Sequence, residues 1–361
     1  MLFKGNKIVV NMFGSNLHIN SVTKILFILF LAIFLLPLNS QSQTKEVVAL
    51  KGDGIYRLLT RYGLSSVEYM DDFIALNKSN LGQNNTLFAG VKYKLPDTAK
   101  LPATPAASTT PSKGTGKMVH YDIFGSKYAD VEILSNDLKG AVYYLVGGHG
   151  GPDPGAVGKY NGYHVYEDEY AYDVTLRLAR KLIENGATVY MITRDKNDGI
   201  RDEYSLKADK DEVCYPNLKI PLNQTKRLRQ RTDAVNQLYK KHKGSFQRMI
   251  AVHVDSRSRS ENIDIFFYHD KRSETGEKAC KILRDTIEKK YHEHQPNRGY
   301  TGTVSNRNLY VVRSTWPTAI FIELGNMNHQ RDVKRLVIPD NRQAVANWLT
   351  LGLITDYKTN K

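Results

Sequence analysis

Cysteine is nearly absent: Cys214 and Cys280 are the two thiols in 361 residues. That count excludes a disulfide scaffold and leaves one Cys214–Cys280 bond as the most the chain could form in an oxidising compartment. It also excludes a cysteine-rich zinc site, so any bound metal must be held by histidines and carboxylates. No cysteine follows the apolar run near the N-terminus, which argues against a lipid-modified start. That run, Ile25 to Leu36, is shorter than the ~20 residues needed to span a bilayer core. The glycine-rich stretch Gly147 to Gly158 lacks the Gly-Lys-Ser/Thr ending of a phosphate loop, which speaks against nucleotide binding. Acidic residues are in deficit, 37 Asp+Glu against 51 Lys+Arg, for a formal net charge of +14. Such a balance favours a polyanionic neighbourhood without choosing among nucleic acid, anionic lipid and acidic polymer.

The N-terminal segment makes that choice. Lys4, Lys7 and Lys24 precede the apolar run, and Pro37 and the small polar stretch Ser40-Gln41-Ser42 close it. This is the pattern of a signal peptide over residues 1–42, cleaved after Ser42, with an uncleaved anchor as the alternative. Either way the protein is expected outside the cytosol, in the periplasm or cell envelope, and its basic surface to meet envelope polymers and no nucleic acid. Residues 45–97 form a compact unit: a short strand, the turn Lys51-Gly52-Asp53-Gly54, a helix through Leu58, Leu59 and Tyr62, a second helix and a closing strand. Residues 98–117, with Pro102, Pro105 and Pro111 among small residues and no apolar periodicity, read as a linker.

Residues 118–357 alternate strands with amphipathic helices, the signature of an α/β domain with a mixed, mostly parallel sheet flanked by helices. Strands are expected at Val142–Val146, Val189–Thr193, Met249–His253 and Ala319–Glu323. Between the first two, Tyr172, Leu176, Ala179 and Ile183 recur at helical spacing, and Gly186 supplies a C′ stop. Lys196 to Thr225 shows no clean period and reads as a long inserted loop. Three strands run directly into polar residues: Val146 into Gly147-Gly148-His149, Val252 into His253, and Ile322 into Glu323. Ligands bind at the carboxyl ends of strands in open α/β sheets, so parallel pairing would converge two imidazoles and a carboxylate on one edge. Two histidines and a carboxylate suit a zinc ion with a companion base.

The string Gly148-His149-Gly150-Gly151-Pro152-Asp153-Pro154-Gly155-Ala156-Val157-Gly158 resembles the opening motif of the zinc-dependent N-acetylmuramoyl-L-alanine amidases, the Amidase_3 family. Leu228, Arg231 and Asn236 fall at that family's spacing. Val252-His253-Val254-Asp255 is similar to its second histidine motif, with Asp255 where Asn is more usual. Phe321-Ile322-Glu323-Leu324-Gly325 matches its catalytic glutamate segment, with Asn326 in place of an aromatic. The resemblance spans Ala141 to Ile354. It implies Zn2+ held by His149 and His253, Glu323 as the catalytic residue, and hydrolysis of the amide joining N-acetylmuramic acid to the L-alanine of peptidoglycan stem peptides. One element departs from the pattern: gapless alignment on Asp173, Leu176 and Ala179 puts Ala171 where the family has its ligating Glu. Glu167 lies four residues earlier on the same helix face and is the expected third ligand, with Glu169 as the second choice.

The unit at 45–97 resembles a LysM domain in its Gly52-Asp53 turn, Tyr62-Gly63-Leu64, Leu76-Asn77 and the closing Leu87, Gly90, Val91, Leu95 and Pro96. That resemblance implies binding of an N-acetylglucosamine-containing glycan. Two rival functions stand beside the amidase: a non-catalytic wall-binding protein with a degenerate enzyme domain, and a zinc peptidase cutting within the stem peptide. Oligomeric state and the need for an activator protein are left open.

Overall fold

The computed structural model describes residues 45–50, 53–62, 64, 66–82, 85–96, 116–295 and 297–361. The expected signal peptide and nearly all of the expected linker lie outside these residues.

Residues 45–96 contain β1 (Glu46–Val48), α1 (Ile55–Arg61), α2 (Ser66–Asn77) and β2 (Lys92–Lys94), with β1 and β2 paired antiparallel. Leu58, Leu59, Phe73 and Tyr93 are fully enclosed in a small core. The buried Asn77 amide donates to the Phe73 and Lys94 carbonyls, at 2.8 Å each, and accepts from the Lys94 N–H at 2.7 Å. A single polar side chain thereby ties the end of α2 to the closing strand and leaves no amide group unsatisfied.

From residue 118 the chain forms β3 (Met118–His120), β4 (Asp130–Glu132), β5 (Ala141–Gly147), β6 (Val157–Tyr160), β7 (Tyr163–Tyr166), α3 (Glu167–Glu184), β8 (Thr188–Met191), β9 (Thr193–Arg194), β10 (Val213–Cys214), β11 (Leu218–Lys219), α4 (Gln224–Lys241), β12 (Phe246–Asp255), β13 (Phe266–His269), α5 (Glu274–His294), β14 (Val304–Asn306), α6 (Tyr310–Ser314), β15 (Thr318–Asn326), α7 (Gln330–Val337) and α8 (Pro339–Asn360). The main sheet has strand order β14-β13-β15-β12-β5-β8. β8, β5, β12 and β15 run parallel, whereas β13 is antiparallel to β15 and parallel to β14. The sheet is thus mixed and mostly parallel.

Its two faces carry separate cores. Tyr143, Leu145, Ile250, Val252, Ile320 and Ile322 face α3, α5, α7 and α8. The alternate residues Val142, Tyr144, Val146, Met249, Ala251 and Phe321 face α4 and α6. Every residue of β5 is buried, as expected of a strand covered on both sides. Cys280 belongs to the first core and Cys214 to the second, and both are free. The sheet stands between them, so the pairing the sequence allowed does not form.

The four expected strands are all present, and Gly186 follows α3 with φ +86 in the left-handed region suited to a C′ glycine. α3 is longer than its apolar repeat suggests because three acidic residues fill its first turn, where the helix dipole favours them. The region read as a long loop carries β10 and β11, which join β9 in a small antiparallel sheet. No helix among the described residues is long and apolar enough to cross a membrane.

Candidate metal centre

Parallel pairing aligns three strand ends. Val252 on β12 registers with Gly147 at the end of β5, and His253 registers with Glu323 on β15. Two residues beyond Gly147 the chain turns sharply: His149 has φ +56, followed by Gly150 at +96 and Gly151 at +64. A left-handed histidine is strained, by about 1–3 kcal/mol. Its hydrogen bonds hold it there. The buried Arg231 of α4 donates to the His149 carbonyl, and the Asp153 carboxylate meets His149 Nδ1 at 3.0 Å. Asp153 is itself gripped by Arg227 at 2.5 Å.

With Nδ1 so engaged, His149 Nε2 lies 3.3 Å from Glu167 Oε2. Glu167, the first residue of α3, is buried, and its other oxygen sits 2.9 Å from His253 Nδ1. The same carboxylate accepts from the Ala156 N–H at 3.0 Å and the Val254 N–H at 3.1 Å, which fixes its plane. The His253 ring stacks on Phe321, with centroids 4.3 Å apart, and meets the His149 ring edge-on at 5.1 Å. His149, Glu167 and His253 each offer a ligand atom within 4.8 Å of the other two.

The donor set fits the zinc that the resemblance implies. Two imidazole nitrogens and one carboxylate are a ligand combination found in catalytic zinc sites, and the carboxylate held behind His149 is the customary outer support. Electrostatics set the three donors apart. Burial keeps the His253 imidazole below its usual pKa and therefore neutral, as a ligand must be. Burial works against ionisation of Glu167, yet the two histidines outweigh it and hold its carboxyl well below the usual range. Burial likewise opposes protonation of His149, but hydrogen bonds to Asp153 and Glu167 prevail and push it up to about 9 in the ion-free protein.

Glu323 lines the same cavity, of about 370 Å³, together with Arg227, Arg307, Asp255 and Tyr310. Its Oε2 is buried with no hydrogen-bond partner among the described residues. Burial, then the Glu167 and Asp255 carboxylates, push its pKa well above the ordinary carboxylate range.

The other expected residues divide. Glu169 turns away from the histidines to accept from Arg201 at 2.8 Å and the Asp209 N–H at 3.0 Å. Ala171 is fully buried in the core. Asn326, which replaces an aromatic, donates to the Ser258 and Glu261 carbonyls at 2.8 Å each and accepts from the Arg257 and Asn328 N–H groups at 3.0 Å each. It organises the loop after β12 instead of packing against the cavity. Arg231 supports His149, Leu228 lines the cavity, and Asn236 donates to the Ser314 carbonyl and accepts from the Trp316 N–H. Sequence reasoning gave no role to Asp153, Arg227 or Phe321. The motif placed Asp153 four residues after His149, but only the turn brings the two together.

Residues 144–355, more than half of the chain, match the family described as Amidase_3, N-acetylmuramoyl-L-alanine amidase. The chain belongs to that family. Its reaction is hydrolysis of the bond between N-acetylmuramic acid and the L-alanine of a stem peptide, and its substrate is peptidoglycan. Among curated relatives, the germination-specific N-acetylmuramoyl-L-alanine amidase of Bacillus subtilis (strain 168) is 26% identical over 231 residues, 62% of this chain and 82% of that protein. An uncharacterized cell wall amidase of Bacillus anthracis is 23% identical over 227 residues, 62% of this chain and 37% of that protein. Among solved structures, the CwlD amidase from Clostridioides difficile in complex with the GerS lipoprotein is similar at 16% identity and a TM-score of 0.45, covering 61% of this chain and 99% of that one. The catalytic domain of CwlV from Bacillus (Paenibacillus) polymyxa var. colistinus is similar at 19% identity and a TM-score of 0.43, again over 61% and 99%.

Proposed function

We propose that this amidase is a zinc enzyme, that His149, Glu167 and His253 hold the ion, and that Glu323 is its general base and acid. The observation that carries the reading is the approach of three donor atoms to within 4.8 Å at the carboxyl ends of the parallel strands, with Glu323 beside them in one cavity. Zinc supplies Lewis acidity toward an amide carbonyl and makes water acidic enough to lose a proton near neutral pH. Asp153 and Arg231 keep the His149 ring turned toward Glu167, and Phe321 holds the His253 ring from behind. The free Oε2 of Glu323 takes the proton of the attacking water and returns it to the departing amine of L-alanine, so that both bond changes are served by one group.

Two substitutions separate these roles. Glu323→Gln keeps one zinc per chain and loses ~10²–10⁴-fold in turnover, the usual worth of general acid–base help. Near-native turnover in that variant removes Glu323 from the chemistry. His149→Ala loses the ion, and full occupancy there removes His149 from the shell. Mass spectrometry of products from purified sacculi, with and without a chelator, decides the bond cut: intact free stem peptides for the amidase, shortened ones for a peptidase. The proposal extends to the N-terminus, where residues 1–42 direct export and residues 45–97 form a LysM-like module that holds the glycan.

A further inference from the structure

A second group of acidic oxygens lies beside the first and plays no part in it. Asp168 and Glu169 follow Glu167 in the first turn of α3, and Glu212 immediately precedes β10. Their exposures are 1%, 2% and 5%, and each offers an oxygen within 4.8 Å of the other two. Hydrogen bonding leaves the group incomplete. Glu169 accepts from Arg201 and the Asp209 N–H, and Glu212 Oε2 accepts from the Gly151 N–H at 2.6 Å. Asp168 Oδ1 accepts from the Glu169 N–H at 2.9 Å, while Asp168 Oδ2 is buried with no partner among the described residues.

Charge is as unbalanced as hydrogen bonding. Among the described residues, Arg201 is the one cation bonded to the three carboxylates, and it is shared with Asp198. Arg231 and the His149 ring lie near but spend their hydrogen bonds elsewhere. A buried carboxylate oxygen without a partner is strongly unfavourable, and three carboxylates around one point repel each other unless a positive charge enters. The donor set is all oxygen, which suits a hard divalent cation and offers nothing to a soft one.

We propose that Asp168, Glu169 and Glu212 hold a hard divalent cation of the calcium class, in a site distinct from His149, Glu167 and His253. Ca2+ is the better match than Mg2+, because Mg2+ keeps several waters and these three side chains are almost wholly enclosed. The ion has a structural task. Glu212 is bonded to Gly151 in the turn that carries His149, and Asp168 adjoins Glu167, so one cation clamps the segment between β9 and α4 onto both halves of the amidase site. The proposal does not depend on zinc at the other group.

The test counts ions and follows stability. Purified full-length protein is stripped on a chelating resin, given one equivalent of Zn2+, and titrated with CaCl2 or MgCl2 under elemental analysis and thermal unfolding. One Ca2+ per chain is expected in addition to zinc. At a hundredfold excess over Kd the unfolding midpoint rises by about 5–10 °C. Asp168→Asn and Glu212→Gln, which preserve shape and remove charge, abolish the extra ion and the rise while leaving the zinc count unchanged. A wild-type protein that binds neither cation and shows no shift overturns the proposal, as it would if a shared proton neutralised the group. An undiminished shift in both variants overturns it as well. Loss of zinc with the calcium effect intact strikes only the zinc reading.

Discussion

At the residue scale, the site depends on side chains that are missing. A Cβ on Gly148 would stand 2.5 Å from His253 Nδ1, and one on Gly155 would stand 2.7 Å from Glu167 Oε2 at a φ of +68. Contacts this short cannot stand, so the added methyl forces the proposed ligand out of the position in which a stacked ring or backbone N–H groups hold it. Gly148→Ala therefore displaces the His253 ring while the sheet beneath it stays intact. Its zinc affinity is expected to fall by at least ~10–100-fold, the range seen when only the outer support of a ligand is lost. Stoichiometric zinc retained through dialysis against a weak chelator would refute this. The same geometry explains which residues the sequence could reveal. His149, His253 and Glu323 were legible because each lies within or just beyond the carboxyl-terminal part of a buried parallel strand, where the fold alone brings such ends together. Glu167 was legible as the acidic residue one helical turn before Ala171. Asp153 and Phe321 were not, since one depends on the left-handed turn at His149 and the other on the register between β12 and β15.

At the scale of elements, α3 links the site to the back of the domain. Six residues after Glu167, Asp173 is fully buried and accepts from Arg177 at 2.8 Å and Arg342 at 2.6 Å. Its second oxygen takes the Arg201 N–H at 2.8 Å, and both arginines also donate to the Arg201 carbonyl. One carboxylate thus binds α3, α8 and the segment after β9. Asp173→Ala leaves two buried guanidinium groups facing each other, a loss of ~3–5 kcal/mol by comparison with other broken buried pairs. Urea unfolding of the zinc-loaded protein measures it, and a change below about 1 kcal/mol would show that the network is dispensable. The sequence disclosed α3 through its helical periodicity and the four parallel strands through their short, nearly continuous apolar runs. It did not disclose β9, β10 and β11, whose two-residue lengths carry no period, nor the antiparallel insertion of β13 between β14 and β15, which packing decides.

At the scale of the whole molecule, two sources of wall affinity can be separated. The formal net charge, +14 over all 361 residues and still strongly positive without Lys4, Lys7 and Lys24 of the proposed export signal, favours acidic wall polymers over long range, and that attraction weakens as salt shortens the Debye length to ~8 Å near 0.15 M. A LysM-like module would act by direct contact with sugars and persist in salt. Residues 45–96 have a core of their own, built on Leu58, Leu59, Phe73 and Tyr93, with none of its residues shared with the cores flanking the main sheet. Deleting them should leave the zinc count and the rate on a small soluble muramoyl-peptide unchanged. On intact sacculi at dilute enzyme and 0.15 M salt, the same deletion should lower the rate by about 10²-fold, the low end of what a tethered second binding site contributes. Equal rates on sacculi at every salt concentration would mean that charge alone brings the enzyme to the wall. A loss that disappears at low salt would mean that charge substitutes for the module, and a loss that persists there would fix glycan contact as its work.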